Sequence, residues 1–412
     1  MLKHFLLLLL LISFQTVFSK VIPVGKGEQI QSIKVGIALA QPGDTLLIRS
    51  GIYREGNIRV EKSIFIQGEN FPVLDGQSKF EILTIRAANV VVQGLTFLNT
   101  GMGSMDDIAA IKIIDSKNIH VIGNVLENAF FGIHFSNSTN CFVEGNTLHS
   151  ESTEEQEIGN GIHLWKCQNM TIHDNKIQGH RDGIYFEFVT NSVITNNYSE
   201  SNKRYGLHFM FSHNDEYRNN TFIDNGAGVA VMYTKGVKML NNTFEHNWGS
   251  ASYGLLLKEI SDSDIVGNVF VKNSIGIFME GSNRNKLQSN SFLQNGYALK
   301  LQASCDDNIL ERNNFQQNTF DLVTNGSLVL NKIDGNYWDR YEGYDLNRDL
   351  VGDIPYRPIS MYGMIVERMP TTILLWRSFL VFLMDRAEKA IPVLTPENLK
   401  DNLPAMKPYD FN

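Results

Sequence analysis

Cysteine is scarce in this sequence: 412 residues include three, Cys141, Cys167 and Cys305. Three cannot build a disulfide framework, at least one must remain a thiol, and their spacing supports no cysteine-based metal site. Cys141 falls at an inward position and reads as core packing. A basic surplus is also missing. The net charge is −8, which argues against a nucleic-acid partner, since that needs a basic face. No apolar run is long enough to cross a bilayer comfortably. The one at the start, Phe5 to Phe14, follows Lys3 and His4 and leads to Val17-Phe18-Ser19. It is expected to be a signal peptide, residues 1–19, cleaved after Ser19 and leaving an exported protein. The other reading, a membrane anchor, has a short run and no following cysteine for a lipid. A hydrophobic fraction of 43% suits a folded secreted domain.

What the chain has instead is a repeat. From Ile133 to Met232 one phrase recurs, a Gly followed by alternating apolar and variable residues: Gly132-Ile133-His134-Phe135, Gly161-Ile162-His163-Leu164-Trp165, Gly183-Ile184-Tyr185-Phe186-Glu187, Gly206-Leu207-His208-Phe209-Met210 and Gly228-Val229-Ala230-Val231-Met232. Period two means strands, with one face in the core. An Asn-x-apolar step accompanies each phrase, with its Asn at 124, 146, 175, 197, 220, 242, 268, 290, 313 and 336. Most gaps are 22 or 23 residues, a length that signals a solenoid whose units bury their apolar faces only against neighbours. The expected fold is all-β, a right-handed parallel β-helix of the pectin-lyase-like kind over residues 20–356. Asn should recur at a corner because it tolerates a left-handed turn and can pair with the Asn one coil away. The two longer gaps predict loops, one from His149 to Gly159 with Glu151, Glu154, Glu155 and Glu157, the other around Trp248 to Tyr253. Apolar spacing between Gln29 and Ala40 predicts a helix capping the open end.

Coils in register stack equivalent residues about 4.8 Å apart. One outward column then runs His134, His163, Tyr185, His208, Ala230, and the next Ser136, Trp165, Glu187, Met210, Met232. His208, Met210 and Met232 converge on an open wall, and imidazole with thioether suits a soft ion such as Cu(I) better than an oxygen-seeking one. His134 and His163 offer a weaker second pair. The same residues also read as stacked side chains, or as the floor of a saccharide groove. Many β-helices cleave or epimerise acidic polysaccharides, and Arg181, Asp182 and Glu187 could act as acid and base. Against that, no outward column repeats Asp, and a salt-bridged corner is the preferred reading of Arg181 and Asp182.

The ordered set Gly159-Asn160-Gly161-Ile162-His163-Leu164-Trp165, His180-Arg181-Asp182-Gly183-Ile184-Tyr185, Arg204-Tyr205-Gly206-Leu207-His208-Phe209-Met210-Phe211 and Ala227-Gly228-Val229-Ala230-Val231-Met232-Tyr233 resembles the NosD family. So do Gly335-Asn336-Tyr337-Trp338-Asp339 and Gly352-Asp353-Ile354-Pro355-Tyr356-Arg357-Pro358. The resemblance implies a periplasmic, non-enzymatic maturation factor for nitrous oxide reductase, held at the inner membrane through its transporter. It further implies partnership with an ABC-type ATPase and membrane subunit and with a copper chaperone lipoprotein, and assembly of the reductase's copper centre. His208, Met210 and Met232 match its His-x-Met and Met-Tyr phrases. Gly206-Leu207 and Phe209 depart from the family's Ala-Val and Tyr but leave the ligands untouched. A passive scaffold is the remaining alternative.

After Trp338 the repeat stops. Asp345, Asn347 and Asp349 have the alternation of a calcium loop, although Leu350 and Tyr356 stand where an EF-hand needs Gly and Glu; a solvated turn fits equally. The tail, 357–412, holds an apolar run from Thr371 to Met384 interrupted by Arg377. It reads as a helix, either capping the solenoid or docking on a membrane partner through Trp376, Phe379, Leu380 and Leu383. Pro392, Pro396, Pro404 and Pro408 predict an extended end.

Overall fold

Three short strands separated by tight corners make each coil; Phe131–Ser136, Phe142–Glu144 and Thr147–His149 are one example. The computed structural model describes residues 19–103, 107–151, 157–326, 330–390 and 399–411. Equivalent strands pair in parallel from coil to coil, building three sheets of 12, 14 and 13 strands. We call them the first, second and third wall, in the order of the example. The expected parallel β-helix is the fold. Register is one to one: Ile133, Ile162, Ile184, Leu207 and Val229 pair in succession and point inward.

Packing inside follows the same stacking. Phe222, Phe244, Phe270, Phe292, Phe315 and Trp338 form a file of parallel rings with centroids 4.2–5.5 Å apart. Large aromatic areas leave water here without any ring needing a polar partner, apart from the Trp338 indole. The corner asparagines behave as expected, each Nδ2 donating to the next Oδ1 at 2.9–3.0 Å from Asn124 up to Asn336. Their backbone role differs from expectation. The left-handed residue is the one before the ladder: Gly123, Gly145, Asp174, Asn196, Asn219 and Asn241 have φ of 53° to 64°. A ladder Asn must aim inward, so its predecessor turns the corner.

Among the described residues the long gaps are irregular, with no strand between His149 and Ile162 or between Glu245 and Leu255. Glu154 and Glu155 lie outside the described residues, as does the segment 1–18. The N-terminal helix is shorter than its apolar spacing, Ile33–Leu39, because Ser32 caps it and Ile30 is already bridged to Val24. Glu55 from the following coil accepts from Ser32 Oγ and the amides of Ile33 and Lys34, satisfying donors that a helix start leaves open.

At the far end a helix, Met361–Arg368, packs Tyr362 and Val366 on Phe320 and Val323 of the first wall. The apolar run is not one helix. It divides into a 3₁₀ turn, Pro370–Leu375, and an α-helix, Phe379–Ala390. Between them Arg377 is left-handed at φ 64° and Ser378 accepts from the Val381 amide. Nor is the end a free extension. Ala405 bridges Tyr337 and Val351, and Asp401 pairs with Tyr356. Among the described residues no helix is long and apolar enough to cross a membrane.

Candidate metal centre

Alternation on the first wall turns every second side chain outward, and register stacks those side chains in files. His134, His163, Tyr185 and His208 stand in one, ring centroids 4.8, 4.8 and 4.9 Å apart. Ser136, Trp165, Glu187, Met210 and Met232 stand in the next, Met210 directly paired with Met232. His208 and Met210, two residues apart on the strand Tyr205–Met210, share a face. The structure therefore brings His208, Met210 and Met232 together at the end of two adjacent strands.

The wall is less open than the alternation implies. His208 is 5% exposed and His134 4%, because the residue preceding each strand's Gly also folds outward and covers them. Phe131 packs on both His134 and His163, while Tyr205 lies 4.7 Å from His208 with the Arg204 guanidinium over its ring. Tyr253, from the loop before Leu255–Lys258, stands near Tyr205. Its hydroxyl is pushed above the usual phenol range by burial first and by Tyr205 second.

Asp182 occupies the same preceding position one coil below Tyr205. It is buried; its Oδ2 stands 3.3 Å from His208 Nδ1 and its Oδ1 accepts from the Tyr205 amide at 3.3 Å. Arg204 Nε stands 3.9 Å from the same carboxylate. His208 Nε2 is buried with no hydrogen-bond partner. A buried, unpaired imidazole nitrogen beside two thioethers has the chemistry of a soft-metal ligand set. Arg181 and Asp182 are not an exposed acid–base pair, since Asp182 is turned under His208.

The lower pair has a different surround. His134 Nε2 lies 3.5 Å from Asp107 Oδ2 and its Nδ1 is buried without a partner. His163 Nδ1 faces the Asn160 amide at 3.3 Å. Burial, then the neighbouring His134, pulls the His163 pKa down to about 3, so the ring is neutral at ordinary pH. Among the described residues no three His, Cys, Asp or Glu side chains converge as a metal site.

Comparison with known proteins finds one recurring likeness. Residues 149–343 match the model of NosD, described as a periplasmic copper-binding protein. A probable ABC transporter binding protein NosD of Pseudomonas aeruginosa is 28% identical over 90% of both chains, and one of Stutzerimonas stutzeri is 26% identical over 86% of this chain and 85% of its own. The chain is thus similar to NosD proteins along most of its length. Solved structures share the fold alone. The A-module of an Azotobacter vinelandii mannuronan C-5 epimerase superposes with TM-score 0.54 at 13% identity, covering 74% of this chain and 94% of its own; the Dettilon tailspike protein gives 0.51 at 13%, covering 74% and 66%.

Other residues singled out in the sequence are distributed differently. The turn at Asp345, Asn347 and Asp349 closes on itself: Asp345 accepts the amides of Asp349 and Leu350, Asn347 that of Asp349, and Asp349 that of Val351. Of the four tail residues, Trp376 packs inward against Phe320 and Tyr362, 5.2 and 5.9 Å away. Phe379, Leu380 and Leu383 are exposed, Phe379 by 73%. All three cysteines are buried; burial pushes Cys141 to about 11 and Cys167 to about 12, as unreactive thiols.

Proposed function

We propose that this protein acts as a NosD, a non-enzymatic, periplasmic copper-handling subunit. In this reading it accepts and presents Cu(I) for assembly of the copper centre of nitrous oxide reductase, alongside an ABC-type transporter and a copper chaperone lipoprotein. The observation that carries the reading is His208 Nε2, buried and unpartnered beside the paired Met210 and Met232. Cu(I) has no demand for charge or a full octahedron and is satisfied by two or three soft donors. Few donors also favour exchange with a partner over trapping in a closed cage. The His134 and His163 pair is a second, weaker holding position for the same cargo. The turn at Asp345 serves as a structural corner in this scheme, with its oxygens already engaged by amides.

Phe379, Leu380 and Leu383 present an apolar face on the helix beyond the cap, while Trp376 anchors that helix to the first wall. This face is where the subunit meets its membrane partner, a contact that would hold an exported protein at the inner membrane.

Anaerobic Cu(I) titration of residues 20–412 against a competing chelator tests the reading, with the His208→Ala, Met210→Ala, Met232→Ala triple variant alongside. Saturable binding that the triple variant loses is expected. Equal binding by both proteins would remove the site from this wall, and no binding by either would leave a scaffold.

A further inference from the structure

We infer that Asp182 is a positioning residue that holds His208 in the tautomer protonated on Nδ1, and so leaves the Nε2 lone pair bare for a ligand. The inference rests on the functional reading above for its purpose, but its geometry stands apart from copper. Asp182 Oδ2 lies 3.3 Å from His208 Nδ1, and a carboxylate oxygen accepts there, which assigns the proton to Nδ1. The carboxylate is itself held in place by the Tyr205 amide, and Arg204 balances its charge from 3.9 Å. Its own backbone amide donates to Asn160 Oδ1 at 3.3 Å, tying the Asp182 corner to the coil below. Tyr185 and Tyr205 flank the imidazole at 4.9 and 4.7 Å and limit its rotation. Nothing competes for Nε2, which is buried and unpaired.

A histidine that ligates metal through one nitrogen commonly donates the other N–H to a carboxylate, which fixes the ring and raises ligand basicity. A free neutral imidazole prefers its proton on Nε2, the wrong nitrogen for this face. Asp182 reverses that preference in advance of any ligand.

The test begins without copper. Long-range nitrogen–proton NMR of the full mature chain distinguishes the two neutral tautomers, and the His208 signals are identified by their loss in His208→Gln. The wild type should show Nδ1–H. Asp182→Asn, whose one oxygen is taken by the Tyr205 amide and whose NH2 then faces Nδ1, should move His208 to Nε2–H, and so should Asp182→Ala. Cu(I) affinity should then fall about 10- to 100-fold in both variants. Nε2–H in the wild type, or an unchanged tautomer in Asp182→Ala, would overturn the inference. So would a lost tautomer preference with undiminished affinity. If Asp182→Ala does not fold, the wild-type and Asp182→Asn spectra still decide. Absence of Cu(I) binding by the wild type would defeat the functional reading alone, because the tautomer is read in the copper-free protein.

Discussion

Asp401 closes the asparagine ladder that Asn336 ends, accepting both the Asn336 amide at 2.8 Å and its side-chain Nδ2 at 3.2 Å. The same carboxylate takes the Gly335 amide and the Trp338 indole N–H at 2.8 and 2.9 Å. A residue from the far end of the chain thus supplies the acceptor that a further coil would otherwise provide.

Asp401→Ala should therefore destabilise by roughly 3 kcal/mol, the cost of several buried donors left unpaired. Urea unfolding followed by Trp fluorescence checks this, and the native emission should itself shift as Trp338 loses its partner.

Asp215 predicts the opposite sign. It occupies a corner file with Ser192 below and Val237 above; Oδ1 accepts from the Ser192 amide at 2.8 Å while Oδ2 is buried without a partner. Burial raises its pKa to about 8 against an ordinary value of 3.8. The folded state therefore holds a proton that the unfolded state releases, and stability declines as pH rises from about 4 to about 8. Asp215→Asn should be more stable than the wild type at pH 8 and nearly equal to it at pH 4, measured by thermal unfolding at both. Asn308 shows how an amide in this file is used, donating to the Ser282 carbonyl at 2.9 Å.

His180 governs the acid side. It stands as the first rung of a second asparagine ladder, its amide donating to Asn202 Oδ1 at 3.0 Å, yet both ring nitrogens are buried and unpaired. Burial lowers its pKa to about 4. The unfolded state binds the proton first, so stability is lost as pH falls from about 6.5 toward 4. His180→Asn should extend the ladder and flatten that acid limb in a stability profile from pH 7 to 4.

The tail separates anchoring from docking. Trp376→Ala should cost roughly 3 kcal/mol, because the ring fills a contact between Phe320 and Tyr362. Leu380→Ser with Leu383→Ser should change stability by less than about 0.5 kcal/mol each and weaken co-purification with the transporter's membrane subunit. Retained co-purification would place the contact elsewhere.

Period-two alternation was enough to read the walls, the ladder and the pairing of Met210 with Met232, because register in a stacked coil follows from sequence spacing alone. The covering of His208 was not legible. Tyr205 and Asp182 sit just before the Gly that breaks alternation, so their direction cannot be counted from the strand. The same holds for Phe131 over His134, while Asp107 stands ahead of the strand Ala109–Ile114, where no alternation sets its direction. Asp401 lies 65 residues beyond Asn336 and has no periodicity to announce its return. Residue type misled at the corners as well: the asparagines that attract the eye are the inward rungs, and the left-handed residue beside them is as often Gly or Asp.

Strand stacking also acts as a ruler. His163 and His208 are separated by two coils, about 9.6 Å at the usual strand spacing, whatever number of residues the intervening corners contain. An insertion in the loop after His149 or the loop before Leu255 lengthens the chain without moving either imidazole relative to the other. Ligand spacing on this wall is therefore insulated from insertions and deletions, and related chains are free to differ in loop length, and in what those loops touch, while keeping the same distance between donors.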